Sequence, residues 1–363
     1  MTLPPATFNA LLATSDGATF WLPEAASTIA GETDFMFDLI NWICYFFFAL
    51  VTFLLVWFAW RYRQKSHSHE GFSAGPTHHT PLEVTWTIVP LIIVIVIFFM
   101  GFKGFLNFAT PPRDTYDIDV VAAKWLWTFK YPNGASSDDL YIPSERPVRL
   151  VMRSEDVLHS LFIPQFRIKR DVVPGRYNQV WFQSDDPTGE DEQAAYDLFC
   201  TEYCGTGHSN MNRKVYVLEE TAFEEWVTEQ GQWLDAIPDE ELYFKAGPKL
   251  FARCANCHSL DGGPNTGPTW KGLWDRSREG STVFDDGTTL ADHVGPGKEF
   301  ATPEDYLRNS ILNPGNHLVK PYTNAMPTFK GQLNDRMIDA IIGMIKNVDE
   351  FNPDGTWKNA PAE

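Results

Sequence analysis

Four potential metal ligands fall within one short stretch in the middle of the chain. Two cysteines lie four residues apart, a histidine follows four residues later and a methionine three residues after that: Cys200, Cys204, His208 and Met211. Thiolate and thioether sulfurs are soft ligands and imidazole is borderline, a combination that suits copper. Gly205 and Gly207 would let the backbone curl and turn these side chains toward one point. The spacing therefore predicts a metal-binding loop.

Three other interpretations of the two cysteines stay open from the residue types alone. They could bind structural zinc, form a disulfide in an oxidising compartment, or be two buried thiols. The methionine favours copper, because zinc sites rarely use a thioether. A blue-copper site has a single cysteine. The second cysteine therefore favours a two-copper centre bridged by both sulfurs, which needs another imidazole from outside the loop.

The pattern Cys-x-Glu-x-Cys-Gly-x-x-His-x-x-Met resembles the dinuclear copper A loop of subunit II of cytochrome c oxidases. The similarity extends over roughly residues 30–230 and includes 169–176. The resemblance implies that His159, in an upstream segment, supplies the second imidazole. It also implies two roles for Glu202: its carbonyl oxygen is a copper ligand, and its carboxylate helps to hold magnesium at the boundary with subunit I.

A second motif reads Cys254-Ala-Asn-Cys257-His258. Cys-x-x-Cys-His is the attachment signature of a c-type haem, in which both sulfurs form thioethers and the histidine ligates iron. A chance pattern or a redox dithiol is the alternative. The flanks favour haem, because residues 267–274 resemble the loop whose proline carbonyl orients the ligating histidine.

The sixth haem ligand is a choice among several side chains. Residues 322–329 resemble the strand that bears the axial methionine, which makes Met326 the predicted ligand. His317 is the alternative and would lower the potential. Met337 and Met344 lie on the apolar face of a closing helix predicted at 333–346 and are interpreted as core residues.

Two long uncharged runs, 39–60 and 84–102, predict membrane helices. The first, at 1.5 Å per residue, would span about 33 Å, enough for the hydrocarbon core. The connector between them carries three basic residues, whereas residues 1–35 carry none. The positive-inside rule therefore predicts a cytoplasmic connector and outward-facing chain ends. The connector histidines, which are His67, His69, His78 and His79, are interpreted as solvated.

Glu83 lies at the cytoplasmic start of the second predicted helix. An acid there is favoured by the helix dipole. The resemblance to the family's second helix implies instead that Glu83 lies at the entrance of a proton channel into subunit I.

Short runs rich in Val, Ile, Trp and Tyr begin near residue 115 and predict strands of an antiparallel sandwich or barrel at 116–129, 148–152 and 179–183. The family's domain is a cupredoxin-like Greek key. The aromatic stretch 122–131 is interpreted mainly as sheet packing. In the family its first tryptophan is the surface site where electrons enter, which implies that role for Trp125.

The composition narrows the range of functions. A net charge of −18 argues against nucleic-acid binding and allows docking of a cationic partner. Four of the five cysteines lie in the two motifs, which indicates ligands and not a disulfide framework. The first 35 residues lack the basic start and apolar run of a secretory signal, so we expect a retained outer segment. The sequence leaves open whether a signal was removed before residue 1.

We therefore predict a multidomain membrane protein with a two-helix transmembrane hairpin, an all-β cupredoxin-like copper A domain and an all-α class I cytochrome c domain. The predicted ranges are an outer segment at 1–35, the hairpin at 36–109, the copper A domain at 110–230, a linker at 231–241, the cytochrome c domain at 242–352 and a tail at 353–363.

The resemblance implies the electron-input subunit of a terminal cytochrome c oxidase in a bacterial inner (plasma) membrane, with both redox domains on the periplasmic side. Electrons would come from a soluble or membrane-bound cytochrome or a cytochrome bc complex. They would pass through haem c and copper A to subunit I, where oxygen is reduced to water, and subunit III is a further expected partner. The alternatives are the input subunit of a copper-A nitric oxide reductase and a membrane-tethered electron shuttle.

Overall fold

The computed structural model describes residues 18–63 and 77–360. The described residues divide into two compact units: those within 1–113 together with 165–167 form one, and those within 114–164 and 168–363 form the other. Two of the connector histidines, His67 and His69, lie outside the described residues.

Two long helices dominate the first unit. α1 (Ala30–Arg61) and α2 (Thr80–Ala109) contain the two predicted spans and extend beyond both. Their most apolar windows have mean hydropathies of 2.3 and 2.6, and no part of either window is buried within the chain. A helix that is apolar all round and exposed is suited to lipid. The lengths, about 48 and 45 Å at 1.5 Å per residue, exceed a bilayer core of about 30 Å.

The second unit begins with a β domain of two five-stranded sheets. Its strands are β1 (Tyr116–Ala123), β2 (Leu126–Lys130), β3 (Ser136–Ser137), β4 (Leu140–Pro143), β5 (Val148–Ser154), β6 (His159–Ile163), β7 (Ile168–Val172), β8 (Asn178–Phe182), β9 (Tyr196–Cys200) and β10 (Arg213–Leu218). One sheet has the order β3-β2-β1-β5-β8 and the other β4-β10-β9-β6-β7. The core is filled by fully buried side chains from both sheets, including Trp127, Phe129, Leu150 and Leu161.

Two details of the β prediction are wrong. The run 116–129 is not one strand, because the chain turns after Ala123 and β2 returns antiparallel to β1. The sheets are also mixed, since β1 pairs parallel with β5 and β10 pairs parallel with β4. The period-two pattern is the same for both directions, so it could not distinguish them.

Helix α3 (Glu220–Gln232) follows β10 and packs on the β domain. Its buried residues are Phe223 and Trp226. The Trp226 ring stacks on Tyr141 with centroids 4.1 Å apart and meets Tyr131 edge-on at 5.1 Å. The helix begins within the range predicted for the copper A domain, 110–230, and its last two residues fall in the predicted linker, 231–241.

The rest of the second unit is helical. Its helices are α4 (Leu242–Lys245), α5 (Gly247–Phe251), α6 (Leu273–Glu279), α7 (Leu290–His293), α8 (Pro303–Leu312) and α9 (Asp335–Lys346). α9 approaches α4 and α5 closely, since a β-carbon on Gly343 would lie 2.7 Å from Tyr243 Cβ and one on Gly247 would lie 3.1 Å from Met344 Cβ. Met344 is fully buried, which confirms its prediction as a core residue.

Candidate copper site and haem-attachment site

The predicted copper ligands converge at adjacent ends of two strands. His159 begins β6 and Cys200 ends β9, and these strands pair. The Sγ atoms of Cys200 and Cys204 lie 3.9 Å apart. Cys200 Sγ lies 3.9 Å from His159 Nδ1, and Cys204 Sγ lies 3.5 Å from His208 Nδ1. Both sulfurs therefore have an imidazole beside them.

The two remaining predicted ligands complete the cluster. Met211 Sδ lies 3.8 Å from Cys204 Sγ, and the carbonyl oxygen of Glu202 lies 3.3 Å from Cys200 Sγ. The Glu202 carboxylate is on an exposed residue. Both cysteines are free thiols; a disulfide would need its sulfurs about 2.05 Å apart. The disulfide interpretation is therefore excluded in this structure.

The electrostatics of the two thiols fit a metal site. Burial raises the pKa of Cys204 to about 12, and the Cys200 sulfur beside it adds to the effect. Burial acts on Cys200 too, but hydrogen bonds with His159 and the backbone outweigh it and lower its pKa to about 6. One thiolate thus forms readily, and the second needs a cation beside it. The ligand set suits copper, since it consists of two cysteine sulfurs, two imidazoles, a thioether and a carbonyl oxygen.

Asp156 supports His159, a role that the sequence did not reveal. Its Oδ1 lies 2.9 Å from His159 Nε2 and its Oδ2 accepts from the backbone N–H of Lys124 at 2.7 Å. With Nε2 paired to the carboxylate, Nδ1 faces the sulfurs. Carboxylates commonly orient metal-binding histidines in this way. The only signal in the sequence was an acid three residues before the histidine.

Trp125 is not at the surface, so its expected surface position is wrong; its role in electron entry stays a prediction. The side chain is 6% exposed. On one side it packs on the copper loop, where a β-carbon on Gly207 would lie 2.4 Å from the indole Cδ2. On the other it lines a small cavity together with Cys254, Cys257 and His258. Gly205 adopts φ +119°, a backbone conformation that favours glycine. At Gly207 a side chain would collide with the Trp125 indole.

The Cys-x-x-Cys-His motif follows α5 at the edge of a large cavity. His258 Nδ1–H donates to the Pro268 carbonyl at 2.7 Å, the contact predicted from the loop sequence. Burial raises the pKa of Cys254 to about 12 and also raises that of Cys257. Reactive dithiols instead have lowered pKa values, so these thiols do not fit a redox dithiol. Burial lowers the pKa of His258, which keeps its imidazole neutral.

The cavity beside the motif is lined largely by apolar side chains and contains about 1170 Å³ of space, including its open mouth. Cys254, Cys257, His258, Met326 and His317 all line it. The His317 Nε2 atom is already within 3.1 Å of both Glu299 carboxylate oxygens. The imidazole of His317 is thus already engaged with a carboxylate, which disfavours it as a sixth haem ligand.

Glu83 caps the start of α2. Its Oε1 accepts from the His79 backbone N–H at 2.8 Å, and His79 Nδ1 accepts from the Leu82 N–H at 3.3 Å. His79 is thus a capping residue as well as a connector histidine. The cap fits the dipole interpretation of Glu83.

Two membrane-length helices followed by a two-sheet β domain with a His/Cys/Cys metal site define a membrane-anchored, cupredoxin-like protein. Two family models match the chain: "Cytochrome C oxidase subunit II, transmembrane domain" over residues 15–103, and "Cytochrome C oxidase subunit II, periplasmic domain" over residues 135–218. These two regions of the chain match the cytochrome c oxidase subunit II family, whose periplasmic domain implies copper A. The chain is a two-pass inner-membrane protein with the β domain on the periplasmic side.

Curated relatives agree with this assignment. Cytochrome c oxidase subunit 2 of Alkalihalophilus pseudofirmus is 30% identical over 54% of this chain and 59% of its own length. That of Cereibacter sphaeroides is 26% identical over 58% of this chain and 80% of its own. That of Bacillus sp. PS3 is 26% identical over 72% of this chain and 72% of its own. The chain thus spans well under two thirds of the first of these relatives.

Proposed function

We propose that this chain is the electron-input subunit of a terminal cytochrome c oxidase, with copper A in the β domain and a covalently bound haem c in the helical part. Both groups supply reversible one-electron transfer when bound. The observation that carries the proposal is the position of Trp125, which contacts the copper loop on one side and lines a cavity with the Cys-x-x-Cys-His motif on the other.

The copper residues have distinct roles in this proposal. Cys200 and Cys204 would supply the two thiolate ligands, and His159 and His208 would supply the two imidazoles. Met211 and the Glu202 carbonyl would complete the set. His159 and Met211 are fully buried, so this side of the site excludes water. Surroundings that exclude water favour transfer over chemistry at the metal, and they tune its potential.

The helical part would hold the haem through Cys254 and Cys257, and His258 and Met326 would ligate its iron. The alignment with the Bacillus sp. PS3 subunit supports a shared C-terminal part. It covers 72% of 363 residues, about 261 residues. A continuous stretch of that length must include residues 254–258, wherever it begins.

Trp125 would connect the two sites within one chain. An external cytochrome cannot dock on a side chain that is 6% exposed. We therefore propose that electrons reach the copper residues from the helical part, across Trp125, and that an external donor meets the helical part first.

The remaining roles depend on partner chains. Subunit I, where oxygen would be reduced to water, and subunit III are the proposed membrane partners. The donor would be a soluble or membrane-bound cytochrome or a cytochrome bc complex. Glu83 would lie at a proton-channel entrance, and the exposed Glu202 carboxylate would share magnesium with subunit I. A copper-A nitric oxide reductase has the same input arrangement, so oxygen and nitric oxide consumption by the purified complex distinguish the two.

Metal and haem analysis of the full-length chain tests the proposal. Wild-type protein should contain two coppers and one covalently bound haem, and electron paramagnetic resonance should show one electron shared by two copper nuclei. Cys204→Ser should abolish that signal, whereas Cys44→Ser, in α1, should not. A single-copper spectrum, zinc in native protein that is lost in Cys204→Ser, or absence of bound haem would contradict it. Stable co-purification with a large haem-bearing membrane subunit would exclude a free-standing shuttle.

A further inference from the structure

Two histidines and a glutamate come together at a second place in the helical part. His293 ends α7, Glu299 lies in the loop that follows, and His317 lies beyond α8. His293 Nδ1 is 3.2 Å from Glu299 Oε2, and His317 Nε2 is 3.1 Å from both carboxylate oxygens. One ligand atom from each residue lies within 4.8 Å of the other two. The proposed copper and haem sites use none of the three.

Thr288 and Asp286 determine which nitrogen of His293 carries the proton. The Thr288 hydroxyl donates to Asp286 Oδ1 at 2.7 Å. Its oxygen is therefore the acceptor for His293 Nε2–H, 2.9 Å away. A neutral His293 then presents an unprotonated Nδ1 to Glu299. Two lone pairs facing each other at this distance repel unless a positive charge lies between them. Metal-binding histidines are commonly oriented by such a hydrogen bond on the other nitrogen.

The surroundings hold the imidazoles in place and leave the carboxylate open to water. Phe284 is fully buried, and its ring centroid lies 5.5 Å from that of His293 and 5.1 Å from that of His317. The side chains of His293 and His317 are 20% and 13% exposed, against 46% for Glu299. An ion could therefore enter from the Glu299 side, and water could complete its coordination.

We infer that His293, Glu299 and His317 bind a divalent transition-metal ion, with zinc the best match. Two imidazoles and one carboxylate form a zinc ligand set that leaves a position open for water. Ligand atoms about 2.0–2.1 Å from a tetrahedral zinc lie roughly 3.3 Å apart, close to the 3.1 and 3.2 Å separations here. His317 also lines the proposed haem cavity, so the ion would place positive charge near its wall.

Zinc titration of the copper-loaded, full-length chain tests this inference. Zinc is supplied from a chelator buffer and counted by elemental analysis after removal of free metal. Wild-type protein should bind one zinc more than either His293→Gln or Glu299→Gln. Thr288→Val keeps all three ligands but removes the hydroxyl that orients His293, so affinity should fall about 10–100-fold. The control is Glu240→Gln, an exposed acid in the same unit, which should bind zinc as wild type does.

Equal zinc stoichiometry in wild type, His293→Gln and Glu299→Gln would overturn the inference. A second result would also overturn it: wild-type protein binds no additional zinc, and Glu299→Gln is destabilised more at pH 6 than at pH 8. The cluster would then be an ion pair between imidazolium and carboxylate. Near-ultraviolet circular dichroism checks the fold of each variant. Haem and copper content are measured on the same samples. A failure of the proposed copper and haem sites is thereby distinguished from a failure of the zinc site.

Discussion

The indole ring of Trp125 lies against the backbone of Gly207, so closely that a β-carbon at Gly207 would come within 2.4 Å of the ring and within 2.7 Å at a second atom. The contact joins the turn between β1 and β2 to the copper loop, more than eighty residues later in the chain. It leaves no room for a methyl group.

Gly207→Ala should therefore displace Trp125 or the loop. We expect a loss of about 1–3 kcal/mol in unfolding free energy, as for overpacking elsewhere, together with an altered copper spectrum. Denaturant unfolding and electron paramagnetic resonance measure the two effects. Gly101→Ala is the control, because nothing lies within 4 Å of its added β-carbon. Native stability and spectrum in Gly207→Ala would contradict the contact.

Substitution of Asp156 should weaken copper binding without unfolding the domain. Asp156→Ala removes the partner of His159 Nε2, and we expect about 10–100-fold lower copper affinity, as for similar outer-shell partners. Asp156→Asn keeps a hydrogen-bonding side chain and should have a smaller effect. Competition with a copper chelator gives the affinities, with the exposed Asp186→Asn as control. Equal copper affinity in Asp156→Ala, Asp156→Asn and Asp186→Asn would contradict the orienting role of Asp156.

Met326→His should keep the haem attached, because two cysteines hold it, and should lower its potential. Imidazole stabilises ferric iron better than a thioether does, and axial ligands set haem potentials over a range of about 0.8 V. In samples free of zinc, His317→Gln should leave the potential near native, since His317 Nε2 already contacts Glu299. Redox titration of both variants identifies the ligand. A shift in His317→Gln alone would make His317 the ligand.

Glu83→Gln separates the two roles of this side chain. The amide oxygen can still accept from the His79 N–H, so the helix cap and the fold should be retained. Loss of the acid should slow turnover of the whole oxidase while the copper and haem spectra stay unchanged. Oxygen consumption and proton uptake are the measurements. If Glu83→Gln consumes oxygen and takes up protons at wild-type rates, Glu83 is a capping residue only.

The Asp117–Arg149 pair should contribute a pH-dependent increment of stability. Arg149 binds both carboxylate oxygens across the paired strands β1 and β5. Its hydrogen bonds lower the pKa of Asp117. The stabilisation is therefore present above the unfolded pKa of about 3.9 and is lost as the pH falls through the lower folded value. Because the pair is partly exposed, Asp117→Asn should cost under about 1 kcal/mol at pH 7.

Denaturant unfolding of the wild type and Asp117→Asn at pH 7 and near pH 3 provides the comparison. The difference between them should shrink at the lower pH. A difference that grows on acidification would contradict the sign of the effect.

The sequence alone determined the features whose parts are close together in the chain. Cys200, Cys204, His208 and Met211 lie within one loop, so their spacing was enough to predict that they converge. The Cys254–His258 motif is shorter still, so its residues could also be grouped from their spacing alone. The membrane helices followed from hydropathy, which is a sum over neighbouring residues and needs no tertiary contact.

Only the tertiary structure decided the contacts between residues that are distant in the chain. Trp125 is buried because Gly207 packs on one of its sides and a cavity shared with Cys254 lies on the other. The cluster of His293, Glu299 and His317 depends on how two loops fold back on each other. Hydrophobic pattern and local propensity reach only near neighbours. Which side chains meet across the fold is set by packing, which no local pattern encodes.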